Sequence, residues 1–239
     1  MKTYSKTDTG RVRETNQDSI YSKDGPLGTL PNLFAVADGM GGHRAGDFAS
    51  RFAIEKLVTL VSADNRPDPN IVITDALVKT NEELYRISMS DPEKNGMGTT
   101  FVAAVIKDGI LYAFNVGDSR LYIINKNIEQ VTKDHSYVQE MVNNGRLREQ
   151  AARIHPQKNV ITRAVGVFPT LEVDCFKRAL RPHDEILLCS DGLTNMLDNQ
   201  RIEQLVRTGL DPVEKVERLI KAANDNGGTD NISVVYIET

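Results

Sequence analysis

Cysteine is scarce in this sequence. Only two occur in 239 residues, Cys175 and Cys189, and a disulfide-stapled scaffold of this size would need more. Cys189 closes the apolar run Glu185-Ile-Leu-Leu-Cys189, where a small buried hydrophobe is the natural reading. Neither cysteine has a histidine near it in sequence, so an activated thiolate is not supported. Long hydrophobic runs are missing too. No window approaches the ~18 apolar residues of a membrane span, and Met1-Lys-Thr-Tyr-Ser-Lys6 has no apolar stretch behind its lysines. These absences predict a chain without signal peptide or membrane contact, at work in the cytoplasm. Positive charge is not in excess either. Lys and Arg number 29 against 33 Asp and Glu, for a net charge of −4, which is not the basic stripe of a nucleic-acid binder. A phosphate-ester substrate would need positive charge from local residues or from metal ions.

What is present is a globular composition, with 40% hydrophobic and 26% charged residues. The length suits one large domain with a sizeable core. A short apolar run at 32–37 ends in Asp38-Gly39 and the glycine-rich turn Gly39-Met-Gly-Gly-His43. Ala45, Ala49, Phe52, Ala53, Leu57 and Leu60 then recur at spacings of three and four, as do Ile73, Leu77, Thr80, Leu84 and Ile87. Both patterns predict amphipathic helices. At 99–106 the pattern turns β-branched and continuous, and Asp108-Gly109 signals a hairpin into 110–116. Further strands are expected at 121–124, 171–180, 185–190 and 232–237, with helices at 134–144, 200–206 and 212–223. Residues 146–160 are polar and irregular, and read as a mobile flap or surface excursion. Strand runs bracketed by helix pairs predict an α+β domain in which two antiparallel sheets pack as a sandwich between helix pairs.

Aspartates fall at the ends of these strands. Asp38, Asp118 and Asp191 each follow an apolar run, while Asp18 and Asp230 each precede one. Sheet ends converge, so the five carboxylates could share one mouth of the sandwich. There they would repel one another unless something positive sat between them. Mg²⁺ and Mn²⁺ suit such a site, because hard cations take oxygen ligands and keep several waters. Each Asp taken singly is more often a turn residue than a ligand. Arg13 offers a fork of donors that matches phosphate oxygens. His43 could donate a proton to a leaving alkoxide, or serve simply as a polar residue at a helix start.

Six short motifs occur in order: Arg13-x-x-Asn-Gln-Asp18, Ala37-Asp-Gly-Met-Gly-Gly-His43, Gly98-Thr-Thr100, Gly117-Asp-Ser-Arg120, Ser190-Asp-Gly-Leu193 and Gly228-Thr-Asp-Asn231. Together they resemble the metal-dependent protein phosphatases, also called protein phosphatase 2C, in their compact bacterial form. The resemblance spans residues 11–237. It implies a single catalytic domain over 1–239, with a flap subdomain at about 146–165 that affects substrate choice. It implies two Mn²⁺ or Mg²⁺ ions bridged by Asp38 and the Gly39 carbonyl. Asp191 and Asp230 would complete one site, and Asp18 would act mainly through water. A third ion would take Asp118 and share Asp191. Arg13 matches the phosphate-binding arginine.

The implied reaction is hydrolysis of phosphoserine and phosphothreonine in proteins by a metal-activated water, with no covalent enzyme intermediate and with His43 or a metal-bound water protonating the leaving oxygen. The implied partners are phosphoproteins and a cognate bacterial serine/threonine kinase that the enzyme opposes, and the chain is expected to act as a monomer. Two departures from the animal members bear on this. Met40 stands where they have a histidine, leaving His43 as the positional substitute. Asn195 stands where they have an acid, which weakens the expected third-ion site. Two other readings stay open at this point: a catalytically inert phosphoprotein-binding module, and a phosphatase for small-molecule phosphates.

Overall fold

A computed structural model describes residues 1–42, 45–207 and 209–239. The strands are β1 (Lys2–Asp8), β2 (Asp18–Lys23), β3 (Leu33–Met40), β4 (Gly98–Thr99), β5 (Phe101–Lys107), β6 (Ile110–Val116), β7 (Arg120–Ile124), β8 (Ile128–Gln130), β9 (Asp174–Ala179), β10 (Glu185–Cys189) and β11 (Ile232–Glu238). The helices are α1 (Ala45–Ala63), α2 (Pro69–Ser90), α3 (Tyr137–Asn143), α4 (Glu149–Ala152), α5 (Asp191–Thr194), α6 (Asn199–Val206) and α7 (Pro212–Asp225).

The strands form two antiparallel sheets. One has the order β1-β11-β10-β7-β8, and the other β2-β3-β5-β6-β9 with β4 added to β3. Side chains alternate across each strand, and here both faces are covered. In β3, Phe34 and Val36 point into the core between the sheets, where they meet Val102, Ala104, Leu188, Val235 and Ile237. Leu33, Ala35 and Ala37 point the other way, into a second core under α1 and α2. On the opposite sheet Leu187, Cys189, Val234 and Tyr236 pack beneath α5, α6 and α7. Double-sided burial is why these strands read as continuous apolar runs rather than as alternation. The expected four-layer αββα sandwich is the observed fold.

Local chemistry sets the element ends. Asp108 and Gly109 both take positive φ, 52° and 72°, the conformation a two-residue hairpin needs, and Lys107 pairs with Ile110 across it. Asp68 and Asp211 cap α2 and α7 through side-chain bonds to Asn70 N and Glu214 N, each with proline in the first helical turn.

Several boundaries differ from the sequence reading. β3 runs through Asp38 and Gly39 to Met40, because Gly39 and Met40 pair with Thr99 and Gly98. Helix α3 is shorter than 134–144, since Ser136 caps it by accepting from Gln139 N at 3.3 Å. The stretch 146–160 is not wholly irregular. It holds α4, and residues just beyond it rejoin the body through bridges Ser136–Ile161 and Thr99–Val165. Among the described residues no helix is long and apolar enough to cross a membrane.

Candidate active site

Strand register builds the centre of the site. Asp18 and Asp38 are directly opposed on β2 and β3, so their side chains share a face. From the other sheet, Asp191 is the first residue of α5, directly after β10 and Ser190, and Asp230 precedes β11. Asp118 lies in the connection between β6 and β7. The two sheets thus contribute carboxylates to one end of the sandwich.

Glycine allows the closest approaches. A Cβ at Gly192 would stand 1.9 Å from the Asn231 carbonyl oxygen, and one at Gly39 would stand 2.0 Å from that of Gly46. The first contact brings α5 against the start of β11, and with it Asp191 toward Asp230. Gly192→Ala is therefore expected to destabilise the protein by about 1–3 kcal/mol and to weaken metal binding as the two aspartates move apart. Thermal melting and calorimetric Mn²⁺ titration check both. A variant with an unchanged melt would show that the approach is not needed.

The carboxylates disturb one another. Burial drives the Asp18 pKa up to about 7, with Asp191 and Asp230 adding to the rise while Ser233 and Ser190 oppose it. Burial likewise raises Asp38 well above the usual carboxylate range, helped by Asp18, Asp191, Asp118 and Asp230. Asp118 is raised by burial, Asp191 and Asp134 against the pull of Arg120. Asp191 is raised by burial and Asp230, against hydrogen bonds from Asp38 and Asn195 and the charge of Lys158. One oxygen of Asp18 accepts from Ser190 Oγ at 2.8 Å. Its other oxygen, Oδ1, is buried with no partner, as is Oδ1 of Asp191. Buried, mutually repelling carboxylates with orphaned oxygens call for a cation. Among the described residues no three ligating side chains already close into a cage.

The motif residues between the aspartates hold the frame. Asn231 Nδ2 donates to the carbonyls of Thr9 and Thr15, at 2.9 and 3.0 Å, while its Oδ1 accepts from Gln17 N at 2.8 Å. Asn16 Oδ1 accepts from Asp18 N at 3.0 Å. Asp38 N donates to Thr100 Oγ1, which also bonds Ser119 Oγ at 2.7 Å. Arg120 binds Asp134 through two nitrogens, with Nη2 at 2.7 Å. His135, given no role by the sequence, pins the Asp118 loop: its amide donates to Gly117 O at 2.9 Å, and its Nδ1 accepts from Gly117 N at 3.1 Å. The sequence placed Asp134 and His135 at the start of the helix expected over 134–144, and nothing in it marked them as part of the site.

Arg13 lies half-exposed at the rim, with Nη2 2.8 Å from Asp230 Oδ2. The structure thus brings Arg13, Asp18, Asp38, Gly39, Asp118, Asp191 and Asp230 to one end of the sandwich. His43 lies outside the described residues. From Asp118 and Asp191 a cavity of about 560 Å³ opens between α3–α4 and α5–α6, rich in Gln and Asn side chains.

A two-sheet sandwich with buried carboxylates gathered at one end suits a metal-dependent enzyme. The chain belongs to the protein phosphatase 2C family, whose model matches residues 7–232. It is 38% identical to the serine/threonine phosphatase stp of Listeria monocytogenes serotype 4b, covering 98% of this chain and 94% of that one. The solved structure of the serine/threonine phosphatase Stp1 from Staphylococcus aureus superposes with a TM-score of 0.94 at 33% identity, covering 99% of this chain and 94% of that one. The catalytic domain of the serine/threonine protein phosphatase PstP, solved with 2 manganese ions, gives a TM-score of 0.86 at 32% identity, covering 98% and 96%. The family is metal-dependent.

Proposed function

We propose that this chain is a protein phosphatase that removes phosphate from phosphoserine and phosphothreonine, using two Mn²⁺ or Mg²⁺ ions and opposing a serine/threonine kinase. The observation that carries the reading is the set of buried aspartates with orphaned oxygens at Asp18 and Asp191. Asp38 and the Gly39 carbonyl would hold both ions, Asp191 and Asp230 would complete one site, and Asp18 would act through water. Bound divalent ions would supply Lewis-acid charge and lower the pKa of water toward neutrality.

The chain's own groups do the rest. Arg13, with its guanidinium at the mouth beside Asp230, would grip and orient the phosphate oxygens. Ser190 and Asn16 hold Asp18 in place, and Asn231 fixes the loop that carries Arg13. The amide-lined cavity beyond Asp118 is far larger than a phosphate group requires and offers hydrogen-bond partners to a peptide main chain.

The test is hydrolysis of a phosphothreonine peptide and of a sugar phosphate, each with and without Mn²⁺. Mn²⁺-dependent turnover of the peptide, with little on the sugar, is expected. Equal or greater turnover of the sugar phosphate would overturn the protein-substrate reading. Arg13→Ala should raise KM about tenfold or more with a smaller loss in kcat, and leave Mn²⁺ affinity nearly unchanged in calorimetry. A large loss of metal binding would instead make Arg13 a structural partner of Asp230.

A further inference from the structure

Two cations of the segment joining α3 to β9 reach α5 and the residues just after it. Arg153 Nη2 donates to the carbonyls of Thr194 and Leu197, at 3.1 and 3.3 Å, at the far end of α5. Lys158 Nζ donates to Asn195 Oδ1 at 2.9 Å, and Asn195 Nδ2 donates in turn to Asp191 Oδ2 at 2.8 Å. The second chain of bonds joins this segment to a carboxylate of the proposed metal centre. An asparagine suits the position because its carbonyl takes the ammonium while its amide takes the carboxylate.

Lys158, Asn195, Asp118 and Asp191 all line the same cavity. A cation shared by Asp118 and Asp191 would have to sit on this side. One oxygen of Asp191, Oδ2, is already occupied by Asn195. Of the other cations lining the cavity, Arg120 is committed to Asp134 through two nitrogens and Arg153 to the carbonyls of Thr194 and Leu197. Lys158 is therefore the positive charge that a third ion would meet.

We propose that Lys158 supplies from the flap segment the positive charge a third divalent ion would supply between Asp118 and Asp191, so that docking of this segment and binding of that ion oppose each other. The proposal rests on the metal-dependent phosphatase reading above. Like charges placed this close repel, and the linkage is reciprocal. An ion that binds weakens the grip of Lys158, and loss of Lys158 tightens the ion.

The experiment uses the full chain and Mn²⁺ as the probe. Calorimetry and electron paramagnetic resonance count the ions bound by wild type, Lys158→Met, Lys158→Arg and Asp118→Ala. Hydrogen exchange across residues 149–160 is followed along the same titration. Wild type is expected to bind two ions tightly and a third weakly. Lys158→Met should tighten the weak site about tenfold and leave the tight pair unchanged. Lys158→Arg keeps the charge and should leave the weak site weak, and Asp118→Ala should abolish it. Exchange in 149–160 should rise in wild type as the weak site fills. Unchanged weak-site affinity in Lys158→Met, no weak site in any variant, or exchange that falls as the third ion binds would each overturn the proposal. Two tight ions and peptide hydrolysis in wild type would show in those cases that the phosphatase reading itself survives.

Discussion

Asp38→Ala, Asp191→Ala and Asp230→Ala are each expected to cut turnover of a phosphothreonine peptide on the order of 10³-fold or more in saturating Mn²⁺. Each removes an anionic ligand from a proposed centre that has few. Stability without metal should move the other way for Asp38 and Asp191. Both are buried with their pKa values raised by burial and by neighbouring carboxylates, so removing either relieves repulsion in the metal-free fold. Metal-free Asp38→Ala and Asp191→Ala should melt no lower than wild type, and this separates lost chemistry from lost folding. Near wild-type turnover in any of the three would remove that residue from the ligand set.

Removing the metal is the second large effect, and its sign depends on pH. Asp18, Asp38, Asp118 and Asp191 all have folded pKa values raised above 3.8, Asp18 to about 7. Between those limits the folded chain holds more protons than the unfolded one. As far as these groups decide it, metal-free stability is then highest below about pH 4 and is lost as pH rises toward and through 7. Mn²⁺ replaces the protons, so the stabilisation it gives grows over the same range. At about a hundred times its dissociation constant an ion contributes about 2.7 kcal/mol, or about 5–10 °C in Tm for a domain of this size. Calorimetric melts with chelator and with Mn²⁺, at pH 5.5 and pH 8, check this. An equal Mn²⁺ shift at both pH values, or a metal-free protein more stable at pH 8, would show that the aspartates are not the groups in play.

The architecture was legible in the sequence because both faces of most strands are buried. Runs such as 101–106 and 234–237 stay apolar without a break, and the change from helical spacing to such runs marks the layers. Strand β1 was missed, since Lys2–Asp8 is largely polar and lies at the sheet edge, paired only with β11. Helix α5 was missed because it is four residues long and includes Gly192, a poor helix former.

The candidate aspartates could be picked out by their places beside strands. What the sequence could not show is which carboxylates face each other. That depends on register, as with Asp18 opposite Asp38. The Lys158–Asn195–Asp191 chain was equally hidden, because it joins residues 37 apart along the chain through a loop with no periodicity.

The two sheets meet at a mouth whose acids come from both ends of the chain. Arg13 touches Asp230 across 217 positions, and Asp18 lies beside Ser190 across 172. On the proposed ligand assignment, no early portion of the polypeptide can assemble the centre. During synthesis Arg13, Asp18 and Asp38 leave the ribosome early, while Asp230 is still to be made. A nascent chain would stay inert toward phosphoproteins until its last strand has been translated and has paired with β1 and β10, so translation itself times the onset of activity.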